Sequence, residues 1–284
     1  MKTLEEALKE GCHYLSDKNI PDASIDGWLL LSFCCQIDRA KFFLNRETML
    51  TEMEYNRYKK LITLRGDHIP LQHLTNEQEF MGLPFYVNED VLIPRQDTEI
   101  LVEEVLKVST GKNILDICTG SGCIIISLDK LSNIESGLGV DISLKALEVA
   151  QQNKRDLDSK VTFAYSDIYS QITGTYDIIV SNPPYIPSKD ILTLMEEVRV
   201  HEPMLALDGE EDGLYFYRMI CNRLKEFLIP GGFIFFEIGY NQGKDVTGLL
   251  KEAGMTDIKI TKDLAGLDRV VSAHYKKECE EPFT

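Results

Sequence analysis

The sequence is short of positive charge. Thirty lysines and arginines stand against 46 aspartates and glutamates, a formal net charge of -16. A protein that grips nucleic acid by its phosphates presents a basic face, so this balance argues against direct nucleic-acid binding. The deficit is also uneven. Residues 1–75 hold 10 basic and 11 acidic side chains, the remainder 20 and 35. The excess acid lies in the later part, which suits a basic or protein partner. No apolar run approaches the roughly 18 residues that a membrane span needs. The opening "MKTLEEALKEGCHYL" carries acid early and lacks an apolar h-region, so neither a span nor a signal peptide is expected. The seven cysteines (12, 34, 35, 118, 123, 221 and 279) are odd in number and scattered, with no Cys-x-x-Cys pair. Reduced thiols, a cytoplasmic location and no metal site follow as expectations. With no internal repeat, coiled-coil heptad or long exposed apolar stripe either, a monomer is expected.

What remains is an ordinary globular composition, 44% hydrophobic with mean hydropathy -0.14, long enough for one large domain or two unequal ones. Residues 1–65 read as a helical module. Leu4, Ala7, Leu8 and Leu15 recur at helical spacing, and "DGWLLLSFCCQI" and "YNRYKKLITL" supply two further segments. Its Trp28, Phe33, Phe42 and Phe43 are assigned to a core. Residues 66–96 form a connector with a β-hairpin, its short β-like runs being Phe80–Leu83, Phe85–Val87 and Val91–Ile93, separated by proline and by the turn "NED". From 97 to 284 helical and strand patterns alternate. "NILDIC", "SGLGVDI", "VTFAYSD", "YDIIVSN" and "FIFFEIG" are strands, and "DIKITKD" with "DRVVSAHYK" is a terminal antiparallel pair. This is the pattern of an α/β, Rossmann-like, mostly parallel sheet.

In such sheets ligands bind at the carboxyl ends of the strands, near the point where strand order reverses. Four ends carry polar punctuation here: Asp116 followed by Thr119-Gly120-Ser121-Gly122, then Asp141, Asp167 and Asn182. A glycine turn alone is weak evidence, since tight strand-to-helix turns use glycine anyway. An acid at the end of the next strand adds weight, because a carboxylate there accepts two hydrogen bonds from a ribose diol; Asp141 would otherwise only complement the dipole of the helix starting at Ser143. Gly120 and Gly122 are followed by Ile125, so the third glycine of a dinucleotide fingerprint is missing, which speaks against a nicotinamide oxidoreductase. G-x-x-x-x-G-K-[ST] is absent too. A ribose-bearing ligand without a pyrophosphate fits better, and S-adenosylmethionine is such a ligand. Asp116 would lie near its amino-acid end, Asp141 at the ribose and Asp167 by the adenine amine.

The fourth strand ends in Asn182-Pro183-Pro184-Tyr185. Proline fixes φ and has no N–H, and Asn tolerates unusual backbone geometry, so a terminating turn explains the first three residues. It does not explain the whole string, which chance places in a chain this long on the order of once in a thousand. "LDICTGSGCIIISL", "GVDISLKALEVAQQN", "SDIY" and "SNPPYI" resemble the Rossmann-fold methyltransferases of planar –NH2 groups. With "FMGLPFYVNEDVLIPRQDTEILV", "HEPMLAL", "PGGFIFFEIGYNQG" and "DLAGLDRVV", the chain more closely resembles the HemK/PrmC family, glutamine methyltransferases of peptide-chain release factors, from about 68 to 272. Three departures stand out: Cys118 where the family usually has Gly, Gln96 for Pro and Leu267 for Arg.

The resemblance implies methyl transfer from S-adenosylmethionine to the side-chain N5 of the glutamine in the Gly-Gly-Gln loop of class 1 release factors. Asn182, Pro183, Pro184 and Tyr185 form the catalytic and substrate-binding site, with the helical module docking the partner. Cys118, Ile142 and Ile168 join the strand-end residues in the cofactor site, and Arg95 and Thr98 line its mouth. An amide nitrogen is a poor nucleophile, so it must be held in line with the methyl group. The Asn182 side-chain oxygen and the Pro183 carbonyl are the acceptors for its two hydrogens, and Tyr185 offers a flat ring. His201 is not needed as a base, and Glu237 either faces the site or buttresses it. The competing reading is a methyltransferase of adenine or guanine exocyclic amines, which would need base flipping and a basic track.

Overall fold

The computed structural model describes residues 2–276, so Cys279 lies outside the described residues. The chain folds as two compact units. One comprises the chain up to Glu77 together with Met195–His201, and the other comprises the remainder.

The first unit is helical: α1 (Leu4–Asp17), α2 (Ala23–Cys35), α3 (Arg39–Asn45), α4 (Glu52–Gly66) and α5 (Leu71–Thr75). Thr3 and Thr51 start α1 and α4 with reciprocal capping boxes to Glu6 and Glu54, satisfying backbone donors that a helix start leaves free. Ala7, Leu15, Leu30 and Leu31 are fully buried around Tyr58, whose hydroxyl donates to the Gly27 carbonyl at 3.1 Å. Three segments were expected from periodicity; the short α3 and α5 carry too few turns to show it. Trp28 and Phe42 meet edge to face in this core at 5.2 Å, whereas Phe43, expected inside, is 66% exposed. Arg65 is buried and donates to Asp26 at 2.7 Å and to Glu197 at 2.6 Å.

The second unit starts at Gln78, within β1 (Glu77–Phe80), which forms a hairpin with β2 (Leu83–Tyr86). Val91–Ile93 forms no strand. Val91 closes a turn onto Asn88, Ile93 gives its N–H to the Glu202 carboxylate, and Pro94 follows, so the segment has no free ladder to offer. Then come α6 (Gln96–Leu106), β3 (Asn113–Ile117), α7 (Cys123–Leu131), β4 (Ser136–Asp141), α8 (Leu144–Asp156), β5 (Thr162–Tyr165) and β6 (Tyr176–Ser181). A 3-10 turn (Ser188–Thr193) follows, before the segment containing α9 (Glu196–His201), which belongs to the first unit. The chain closes with α10 (Met204–Leu207), α11 (Tyr215–Phe227), β7 (Leu228–Glu237), α12 (Gly243–Glu252), β8 (Thr256–Lys262) and β9 (Asp268–His274).

Strands β3 to β9 form one sheet in the order β5-β4-β3-β6-β7-β9-β8. The pairs from β5 to β7 are parallel, and β9 runs antiparallel between β7 and β8. Helices on both faces bury the central strands, which is why "NILDI" and "DIIV" are apolar without alternation. The chain moves outward from β3 to β5 and then returns to place β6 on the other side of β3. The crevice at that reversal is where the fold positions a ligand.

Candidate active site

One cavity of about 290 Å³ opens at the carboxyl ends of β3, β4, β5 and β6, near the lower end of the roughly 300–1,000 Å³ usual for small-molecule sites. Its walls are mostly apolar, with a few converging polar groups. Of the residues singled out in the sequence, Cys118, Thr119, Gly120, Ser121, Asp141 and Ile142 line one side. Asp167, Ile168, Asn182 and Pro184 line the other, and Arg95 and Thr98 are also on its wall. Asp116, Gly122, Pro183 and Tyr185 are neighbours of these residues in the chain and are not themselves on its wall.

The β3–β4 side is a backbone construction. The turn after β3 needs left-handed residues, and Gly122, at φ 78°, starts α7 against the Phe163 ring with no room for a Cβ. Cys118 adopts φ 61° although it is not glycine. The Asp141 carboxylate accepts from the Gly120 N–H through Oδ2 and from the Ser143 N–H through Oδ1, both at 2.9 Å. Two of its roughly four lone-pair positions are thus used, and the rest are free for hydroxyl donors. Burial raises the Asp141 pKa while those N–H groups oppose the rise. Asp116 is fully buried and burial pushes its carboxyl up to about 7; Thr119 donates to its Oδ2 at 2.6 Å, and Oδ1 has no partner among the described residues. An apolar slot with a hydrogen-bonding carboxylate at a strand end, and an orphaned acidic oxygen behind Thr119, fits a nucleoside-bearing cationic ligand such as S-adenosylmethionine.

The β6 side is built from side chains. Ser181 ties the strand end to β3 by donating to the Ile117 carbonyl at 2.6 Å. Asn182 Nδ2 donates to Thr98 Oγ1 over a long 3.4 Å, and the Tyr185 hydroxyl donates to Glu237 at 3.4 Å. Burial raises the Tyr185 phenol well above its ordinary pKa, so the ring is neutral. The backbone of the turn is clasped by Gln242, whose Nε2 donates to the carbonyls of Tyr185 (3.0 Å) and Gly213 (3.1 Å) while its Oε1 accepts from the Gly239 N–H (2.9 Å). A Cβ on Gly213, at φ 75°, would stand 2.3 Å from the Tyr185 carbonyl oxygen, so only glycine lets this loop approach.

At the mouth, Arg95 pairs with the buried carboxylate of Glu202, which also accepts from the Ile93 N–H at 3.2 Å. Arg95 precedes α6 as its N-cap without a side-chain cap bond, so neither Asp97 nor Thr98 caps this helix. Pro203, Leu205, Ala206, Tyr215 and Phe216 also line the cavity, and reading the sequence did not single them out. They come from segments without strand-end punctuation, and only the resemblance of "HEPMLAL" drew attention near them. His201 lies on α9 and is not on the wall. Among the described residues no group of His, Cys, Asp or Glu could hold a metal ion, the six described cysteines are unpaired, and no helix is long and apolar enough to cross a membrane.

A family model described as "Methyltransferase small domain" matches residues 95–210, and one described as "PrmC N-terminal domain" matches residues 6–75. The protein named release factor glutamine methyltransferase in Clostridium acetobutylicum is 38% identical over 278 residues, covering 95% of this chain and 98% of its own. The protein of that name in Clostridium botulinum is 40% identical over 278 residues, again 95% and 98%. A crystallised methyltransferase from Pyrococcus furiosus shares the fold with a TM-score of 0.54 at 17% identity, over 70% of this chain and 91% of its own.

Proposed function

The chain belongs to the release factor glutamine methyltransferases, and from that premise we propose that it methylates the side-chain N5 of the glutamine in the Gly-Gly-Gln loop of class 1 peptide-chain release factors, using S-adenosylmethionine. The observation that carries this reading is the sharing of one cavity by Asn182 and Pro184 at the end of β6 and by Asp141 and the Gly120 turn at the ends of β4 and β3. A methyl donor held on one side meets an –NH2 group held on the other.

The bound cofactor supplies an electrophilic methyl group on a sulfonium. The rest is positioning. The Asp141 carboxylate, held by two backbone N–H groups, accepts from the ribose hydroxyls, and each charge-assisted bond contributes roughly 1.5–3 kcal/mol. The Asn182 side-chain oxygen and the Pro183 carbonyl accept the two N–H bonds of the glutamine amide. That arrangement would hold the nitrogen toward the donor side of the cavity and favour the positive charge that develops on nitrogen. On transfer of the methyl group, with the bonding pair staying on sulfur, the amide nitrogen, still hydrogen-bonded to the Asn182 and Pro183 oxygens, would release one proton to solvent. Prolines at 183 and 184 have no N–H to compete for those acceptors. The neutral Asn182 suits an uncharged amide, and the neutral Tyr185 ring offers a flat surface beside it. Action on a protein substrate without direct nucleic-acid contact accords with the net charge of -16, and a cytoplasmic monomer is part of the same proposal.

The experiment is transfer of labelled methyl groups to a purified release factor, to a copy with the loop glutamine changed, and to duplex DNA. Label is expected only on the unaltered factor and is lost with Asn182→Ala. Label on nucleic acid would assign the chemistry to exocyclic amines instead.

A further inference from the structure

Behind the β6 side of the cavity lies a carboxyl that the proposed reaction does not use. Glu237 ends β7, is 1% exposed, and has its main-chain carbonyl held by the Tyr217 hydroxyl at 2.8 Å. Its Oε1 accepts from the Tyr185 hydroxyl. Its Oε2 has no hydrogen-bond partner among the described residues, and the nearby Thr98 hydroxyl favours the charged form. Thr98, also buried, accepts from Asn182 Nδ2 at 3.4 Å. The chain of contacts therefore runs from a buried acid, through a hydroxyl, to the Asn182 amide.

We propose that Glu237 and Thr98 are positioning residues that fix which way the Asn182 amide faces. The proposal rests on the functional reading above for its consequence in methyl transfer, and on hydrogen-bond polarity for its substance. An ionised carboxylate only accepts, so a Thr98 hydroxyl facing it donates its single proton to Glu237. The Thr98 oxygen is then left to accept, and Asn182 must turn its NH2 toward it. Oδ1 is thereby left to accept from the substrate amide. The flipped amide would set two acceptors against each other at Thr98 and present N–H to N–H at the substrate. The two orientations differ only in which atom is nitrogen, so the surrounding network decides between them.

The same logic makes the orientation depend on the proton of Glu237. The groups facing that carboxyl are Thr98 and Asp97 from α6, Tyr185 from the turn after β6, Cys123 from α7, Tyr217 from α11 and Arg269 from β9. Burial pushes Glu237 up to about 7, and Thr98 and Arg269 oppose the rise. Arg269 itself pairs with Asp97 and Asp263, each at 3.0 Å. When protonated, Glu237 can donate to Thr98, which frees the Thr98 proton for Asn182 Oδ1 and removes the preference.

Two readouts test this in the full chain. The first needs no methyl acceptor: hydrogen exchange of the Asn182 side-chain NH2, followed by NMR in nitrogen-15-labelled protein. Exchange is expected to be at least about tenfold slower in the wild type and Thr98→Ser than in the near-isosteric Thr98→Val. The second is transfer to the release factor. Thr98→Val is expected to lower kcat about tenfold or more with cofactor Kd within about threefold, and Thr98→Ser to restore most of it. The loss of kcat toward low pH, centred near 7 in the wild type, is expected to vanish in Glu237→Gln. Equal Asn182 exchange in wild type and Thr98→Val, or a Thr98→Val kcat within about twofold of wild type, would overturn the proposal. Absence of transfer by the wild type would overturn the functional reading alone, and the exchange readout would still decide this one.

Discussion

The two sides of the cavity are held by different means. On the β3–β4 side the key carboxylate, Asp141, is gripped by two backbone N–H groups at 2.9 Å, and the turn that supplies one of them is set by glycine geometry. On the β6 side Asn182 is held by one long side-chain contact, and the carbonyl of Tyr185 by the side chain of Gln242. A backbone grip needs only a permitted turn, so it survives changes of neighbouring side chains. A side-chain grip needs every partner present. A grip on the cofactor recurs in any reaction of this kind, whereas the choice of –NH2 substrate is made by side chains.

The comparison breaks most sharply at Asn182. Asn182→Ala is expected to lower kcat by roughly 100-fold or more while cofactor Kd stays within about threefold, measured by labelled transfer and calorimetry. Asp141→Ala is the mirror image. It is expected to weaken cofactor binding by roughly 30-fold to several hundredfold, with kcat at saturation far less affected, since it removes charge-assisted bonds and leaves the Gly120 and Ser143 N–H groups without their acceptor. Equal losses of binding and turnover in both variants would erase the distinction.

Gln242→Leu sharpens it. The carbonyls of Tyr185 and Gly213 and the N–H of Gly239 would lose their shared partner in a buried place, so destabilisation of about 2–3 kcal/mol is expected in urea unfolding, with transfer falling more than cofactor binding.

A pH experiment separates stability from turnover. Asp116 and Glu237, fully buried, keep their protons up to about 7 in the fold, against ordinary values of 3.8 and 4.5. Between about pH 4.5 and 7 these two groups hold more proton in the folded chain than in the unfolded one, so their contribution to stability falls as pH rises through this window. A lower Tm is expected at pH 8 than at pH 5.5, with a smaller difference in Asp116→Asn. Transfer is expected to rise over the same window. The smallest effect belongs to Cys118→Gly, which relieves a left-handed backbone at φ 61° and is expected to raise stability by up to about 1 kcal/mol in the same urea assay.

These contrasts also explain what could be read from the sequence. Strand ends were legible because β4 and β6 stop at polar residues and β3 runs into a glycine turn, and the Asn182–Tyr185 string is rare enough to mark itself. The mostly parallel sheet followed from alternation and the antiparallel pairing of β8 with β9 from their closeness in the chain, whereas the strand order, with β9 between β7 and β8, has no local signal. Val91–Ile93 was misread as β-like because its apolar residues have the right composition, while the N–H of Ile93 goes to Glu202, 109 positions later in the chain. No local pattern reports such a partner. Phe43 was expected inside because aromatic residues usually are, but its neighbour Phe42 takes the place against Trp28. The wall formed by Leu205, Ala206 and Phe216 was invisible for the same reason: its residue types are ordinary and only the path of the chain brings them to the cavity. Glu237 could be seen to end a strand, but its link to Asn182 passes through Thr98 on a different element.

The most direct test is mass spectrometry of a purified release factor after incubation with the protein and S-adenosylmethionine. One added methyl group on the side-chain nitrogen of the Gly-Gly-Gln glutamine, absent with Asn182→Ala, is the expected result. A methyl group on any other residue of the factor, or an unmodified factor beside methylated nucleic acid, would contradict it.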